Sequence, residues 1–230
     1  LNDNNWHLSA IGSLAGNVLV FALVSLFSRT RSVEAGAAAA CGEAMMDQAV
    51  WAVARGSGIV ALLFCTISVA LGITVRSGRP VGRLPRFGVV DVHRFASLYA
   101  VVLVAMHVGL LLADPYAQLR LVDLVVPFVG NYRPLWQGLG TLAAELMVVL
   151  VVTSLLRHRL GLRAFRVVHW VAYLLWPIAF VHALGNGTDA AHGWFLSFAA
   201  LCALTMAVSL IWRLRADYTE YSTARIGFRR

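Results

Sequence analysis

Six stretches of this 230-residue chain stay apolar for about 20 residues or more, the length a helix needs to cross the hydrocarbon core of a bilayer. They run at approximately 8–28, 50–75, 89–113, 134–156, 164–185 and 194–213. Lipid offers no partner to backbone polar groups, so segments of this length must close their hydrogen bonds within themselves as helices. The pattern therefore predicts an all-α integral membrane protein, a six-helix transmembrane bundle. Composition agrees, with 60% of residues hydrophobic, 13% charged and a mean hydropathy of +0.75. An ordinary soluble domain carries roughly a quarter charged residues. Disorder, coiled coil, a collagen-like repeat and a small disulfide scaffold are excluded by the same balance.

The 19 basic residues are all Arg and outnumber 11 acidic ones, for a formal charge of +8. They cluster between apolar runs and form no basic face, so no nucleic-acid partner is expected. Thirteen of them fall in the second loop, the fourth loop and the C-terminal tail. Four (Arg29, Arg31, Arg120 and Arg133) lie on the other side. The positive-inside rule then predicts a multi-pass protein of the cytoplasmic (inner) membrane with its C-terminus in the cytoplasm. The first span is weak: it contains Gly12, Gly16 and Asn17, and Arg29 and Arg31 after it oppose the orientation of the rest. Met45 and Met46 stand just before the second span, and five spans remain if residues 1–44 are not native. The expected organisation is an N-terminal extension over 1–48, a membrane domain over 49–213 and a cytoplasmic tail over 214–230. Cys65 and Cys202 lie inside apolar runs and read as small hydrophobes, and Cys41 makes no CxxC pair with either.

Four of the seven His fall inside two spans: His93 and His107 in the third, His169 and His182 in the fifth. Ionisable groups are expensive in a membrane helix and mark functional sites by default. The intervals are fourteen and thirteen residues, or about 20 Å along each helix. Both helices run from inside to outside, so His93 meets His169 at the inner level and His107 meets His182 at the outer level. Two levels with two facing imidazoles each suit two stacked haems, each with bis-His ligation. Ala96, Ser97 and Ala100 share a stripe with His93 and would leave room for a flat macrocycle. Thirteen residues leave His169 and His182 about 140° apart on an ideal helix, and Pro177 between them is expected to kink it. Interhelical hydrogen bonding is the plainer use for a His in a span.

Other charges carry weaker signals. Glu145 stands at the middle of the fourth span, as a hydrogen-bonded core carboxyl or as a group for proton uptake or quinone binding. Arg55 near the outer end of the second span and Arg94 beside His93 are candidate partners for haem propionates, or snorkel to the interface. His158, His192 and His7 are assigned to no metal. The loop from Asp114 to Pro134 is apolar enough to lie against the outer surface over the outer site, and Tyr116, Tyr132 and Trp136 fit an interfacial aromatic belt.

The run from Trp51 to Ala183 resembles the ferric reductase-like transmembrane domain. That domain is shared by ferric reductases, NADPH oxidases and the haem membrane subunit of the periplasmic methionine sulfoxide reductase system. The resemblance rests on WAVARGSG (51–58), HRFASLYAVVLVAMH (93–107), TSLLRHRLGLRAFRVVHW (153–170) and WPIAFVH (176–182). It implies two b-type haems held by His93, His169, His107 and His182, and a haem propionate near Arg55. Ferric reductases and NADPH oxidases of this type also carry a cytoplasmic flavin and nicotinamide domain. The present sequence shows no Rossmann fingerprint or Gly-rich phosphate loop, so no FAD or NAD(P) site is expected in it. The expected function is a di-haem electron-transfer subunit, an oxidoreductase component fed by a separate flavoprotein reductase or a quinol and serving an extracytoplasmic acceptor. The alternatives are a quinol-linked cytochrome b in which Glu145 handles the proton, and a haem-free scaffold or permease.

Overall fold

The computed structural model of the chain describes residues 37–78, 80, 83, 85–114 and 117–215, with side chains from residue 45 onward. The span expected at 8–28, His7, Arg29, Arg31, Arg79, Tyr116 and everything after residue 215 lie outside the described residues. The chain forms two compact units, Leu1–Met46 and Asp47–Arg230, and the second holds all the candidate site residues.

Among the described residues the fold is all-helical. It comprises α1 (Ala37–Ser77), α2 (Arg86–Ala113), a 3-10 turn (Leu121–Leu124), α3 (Pro134–Leu155), α4 (Arg157–His169), α5 (Ala172–Asn186) and α6 (Gly193–Leu214). The ends follow local chemistry. Gly78, at φ 68°, closes α1 by donating its N–H to Thr74 O and Val75 O. Pro85, in extended conformation, precedes α2, and Asp114 ends that helix just before Pro115. Pro134 opens α3 at a position where a missing N–H costs nothing.

Met45–Ser77, Arg86–Ala113, Pro134–Leu155 and Gly193–Leu214 are each long and apolar enough to cross a membrane. They carry exposed Leu98, Val148, Leu201, Leu204 and Val208, an apolar surface suited to lipid. The chain is a multi-pass helical membrane protein.

The fifth expected span departs from expectation. Residues 164–185 are not one helix: α4 and α5 share the crossing and are bent by 45° at Trp170–Val171. The break lies N-terminal to Pro177, which sits exposed within α5. It is a tightened turn, in which Trp170 donates to Val167 O, Val171 to Val168 O, Tyr173 to Trp170 O and Leu174 to Val171 O. Residues wound this way turn about 120° rather than about 100° each. The turn thus brings His182 round toward the face that carries His169, as the thirteen-residue interval requires.

The core ties α1, α2, α5 and α6 together through Cys65, Ala100, Leu175, Trp176, Cys202 and Met206. Trp176 donates its indole N–H to Thr66 Oγ1 at 2.9 Å and stacks on Phe180 at 4.9 Å. Ala100 lies midway between His93 and His107, so this cluster fills the middle of the membrane domain between the two histidine levels. The small residues beside His93 serve this packing. Ala96 and Ala100 are buried against protein, and Ser97 bonds Ser68 Oγ at 2.6 Å. Room at the histidines is cleared elsewhere.

Candidate functional site

Helix α2 places its two histidines on the face that meets α1. Fourteen residues separate His93 from His107 on α2, and the same interval separates Ala54 from Ser68 and Gly58 from Gly72 on α1. The two helices match these repeats in antiparallel sense. His93 Nδ1 lies 2.9 Å from Ser68 O, and His107 Nδ1 lies 2.7 Å from Ala54 O. His182 on α5 makes the equivalent bond to Trp136 O of α3, at 2.7 Å. A carbonyl oxygen only accepts, so each of these Nδ1 atoms carries the proton and each Nε2 keeps a free lone pair. That is the tautomer a metal-binding imidazole needs, with the kind of backbone support such ligands commonly have.

His169, the last residue of α4, differs. Its Nδ1 is buried without a hydrogen-bond partner. Its ring faces that of His93 edge-on, with centroids 6.4 Å apart, and leans on Phe165 at 5.1 Å. An imidazole–metal–imidazole axis with bonds of about 2 Å would put ring centroids about 6 Å apart. The geometry of this pair is therefore suited to one metal between the rings. The other pair, His107 and His182, lines a cavity of about 260 Å³ together with Arg55 and Gln137, and with Leu119 and Leu124 from the loop before α3. Among the described residues no three His, Cys, Asp or Glu side chains converge on one point. Histidines that come in twos are a donor set that suits an iron whose remaining ligands belong to a planar macrocycle.

The charged candidates fall out unevenly. Arg55 lines the His107/His182 cavity, lies 4.3 Å over the Trp51 ring and pairs with Asp189 Oδ2 at 2.7 Å. Asp189 is buried and also stands 3.7 Å from His192 Nδ1; nothing in the sequence marked this loop acid. Arg94 is more than half exposed and reaches Asp91 at 3.8 Å. Arg76 and Arg213 both reach the ring of Trp170, the residue after His169, at 5.9 and 4.7 Å. Glu145 is half-buried on α3 and does not line the cavity.

The loop before α3 is locked rather than loose. Arg120 grips Asp123 through Nη2 at 2.8 Å and Nε at 3.2 Å, and its backbone N–H adds a bond of 3.0 Å. Thr141 donates to Asp123 O at 2.6 Å, which fastens the loop to α3. Asp123 is buried, and the Arg120 side chain, followed by the Arg120 N–H, holds its carboxyl below the usual carboxylate range. Trp136, half-buried, seats its ring against Gly185 of α5, while Tyr132 stays exposed at the surface. The residues that sequence reasoning missed are the glycines. Gly58, Gly72 and Gly140 face His107, His93 and His182 in turn. The fourteen-residue repeat of Gly58 and Gly72, equal to that of the histidines, was the available signal.

A helical membrane domain with paired histidines at two depths defines the class of protein. The family model described as ferric reductase like transmembrane component matches residues 57–180, and the chain belongs to that family. The match takes in His93, His107 and His169 and stops two residues short of His182. Neither a curated protein nor a solved structure matches the chain.

Proposed function

We propose that this chain is a di-haem b-type transmembrane electron-transfer subunit. The observation that carries the reading is the pairing: His93 faces His169 with ring centroids 6.4 Å apart, and His107 and His182 share one cavity. His93 and His169 hold the haem on the cytoplasmic side, and His107 and His182 hold the one on the outer side. Bis-His haem supplies single-electron transfer with little change of coordination.

The protein's own residues do the rest. Backbone carbonyls of Ser68, Ala54 and Trp136 keep three imidazoles in one tautomer. Cys65, Trp176 and their neighbours fill the space between the levels with apolar side chains and exclude water. Arg55 offers a cation at the outer cavity, and Arg76 and Arg213 offer cations at Trp170, the residue after His169, as partners for propionates. Residues 49–213 form the redox domain in the cytoplasmic membrane, with 214–230 as a cytoplasmic tail. Electrons enter from a donor outside this domain, a flavoprotein reductase or a quinol, and leave to an extracytoplasmic acceptor.

The test is haem stoichiometry. Protein purified from a haem-replete host gives two b haems per chain in a pyridine haemochrome assay. His107→Ala and His182→Ala each keep one, the one with the signature that His93→Ala removes. Folded, haem-free wild-type protein would refute the proposal.

A further inference from the structure

We infer that Gly58 and Gly140 are positioning residues for His107 and His182, an inference that rests on the haem reading above. Each glycine stands four residues after the carbonyl that accepts the Nδ1–H hydrogen bond: Ala54 before Gly58, Trp136 before Gly140. In an α-helix the Cα–Cβ bond tilts toward the N-terminus, so the side chain at i+4 leans over the carbonyl of residue i. Thr66 shows this on α1, where its hydroxyl reaches back to Leu62 O at 2.8 Å. A glycine in that place leaves the carbonyl's second lone pair open to an imidazole from the neighbouring helix.

The clearance at these two positions is against the histidine rings themselves. A Cβ on Gly58 would stand 2.9 Å from both Nδ1 and Cε1 of His107. A Cβ on Gly140 would stand 2.8 Å from His182 Nδ1 and 3.0 Å from Nε2. At such distances the ring must move, and the direction of Nε2 moves with it. Gly72 is a looser version of the same arrangement, with His93 Cε1 at 3.4 Å from its would-be Cβ. Gly56 and Gly109, also in spans, would meet nothing within 4 Å. The two tight glycines thus belong to one level, that of His107 and His182, and act through those two rings.

Four variants of the full chain test this: Gly58→Ala, Gly140→Ala, and Gly56→Ala and Gly109→Ala as controls. Gly58→Ala and Gly140→Ala lose one haem of two, or shift the low-spin EPR signal and midpoint potential of one haem only. The controls keep both haems with wild-type spectra. Two haems and unshifted signals in Gly58→Ala and Gly140→Ala overturn the inference and leave the haem reading standing; a haem-free wild type overturns both. Should the alanine variants not fold, His182→Gly with added imidazole carries the test. Imidazole restores the second haem, and 1-methylimidazole, which has no N–H to give Trp136 O, does so about tenfold less well. Equal rescue overturns the inference.

Discussion

At the scale of single residues, the four histidines are not equivalent, and the difference is a hydrogen bond. Three give Nδ1–H to a backbone carbonyl, while His169 Nδ1 is buried without a partner. A ligand without that support is held less firmly. On the proposed di-haem reading His169 is the ligand that yields first: carbon monoxide added to the ferrous protein is expected to bind one haem, and that binding to be absent in His93→Ala. Equal binding at both haems would contradict this. Asp123 gives a second residue-scale prediction. Its folded pKa is depressed below the usual carboxylate range, chiefly by the Arg120 side chain. Its contribution to the fold is thus fully present above that range and is lost as pH falls through the lower, folded value. Limited proteolysis of the loop before α3 should show constant protection from neutral pH down to about 4 and loss below it, with Asp123→Asn cleaved faster at neutral pH. The histidines and Arg55 were legible in the sequence because charge in an apolar run stands out. Asp189, Gly58 and Gly140 were not, because a loop acid and a helix glycine gain meaning only from what faces them across the chain.

At the scale of elements, α4 and α5 teach the most. Hydropathy identified the crossing at 164–185 and Pro177 offered an obvious place to bend it, yet the bend lies at Trp170–Val171. Proline breaks a helix where the freed carbonyl and ring cannot be accommodated, and α5 accommodates Pro177 at an exposed position. The turn at Trp170 coincides with tertiary contacts. Arg213 and Arg76 reach the Trp170 ring, and His169 must turn toward His93. No sequence rule carries those contacts. On the proposed reading Pro177→Ala is expected to retain both haems and not to lose stability, since alanine restores the helical N–H, measured by haem content and thermal unfolding in detergent. Loss of the second haem in that variant would mean that the proline, not the turn, sets the angle between His169 and His182.

At the scale of the whole molecule, the spans over 50–75, 89–113, 134–156 and 194–213 were readable from length and hydropathy alone, because lipid leaves a helix no alternative. Their direction rests on the arginines, and it is open to labelling. On intact cells a membrane-impermeant thiol reagent should label Val125→Cys, in the loop before α3, and leave Leu214→Cys, at the end of α6, unlabelled; the reverse pattern would invert the proposed direction of electron flow. Two histidine levels separated by about 20 Å of helix, with an apolar core between them, make sense as a conductor across the bilayer. The most direct measurement is electron transfer through a sealed vesicle. Purified protein is placed in liposomes with ferricyanide trapped inside and dithionite added outside. The account predicts that wild-type vesicles reduce the trapped ferricyanide and that His182→Ala vesicles, left with one haem, do so no faster than protein-free ones. Wild-type vesicles that hold both haems yet reduce the trapped acceptor only at the protein-free rate would contradict it.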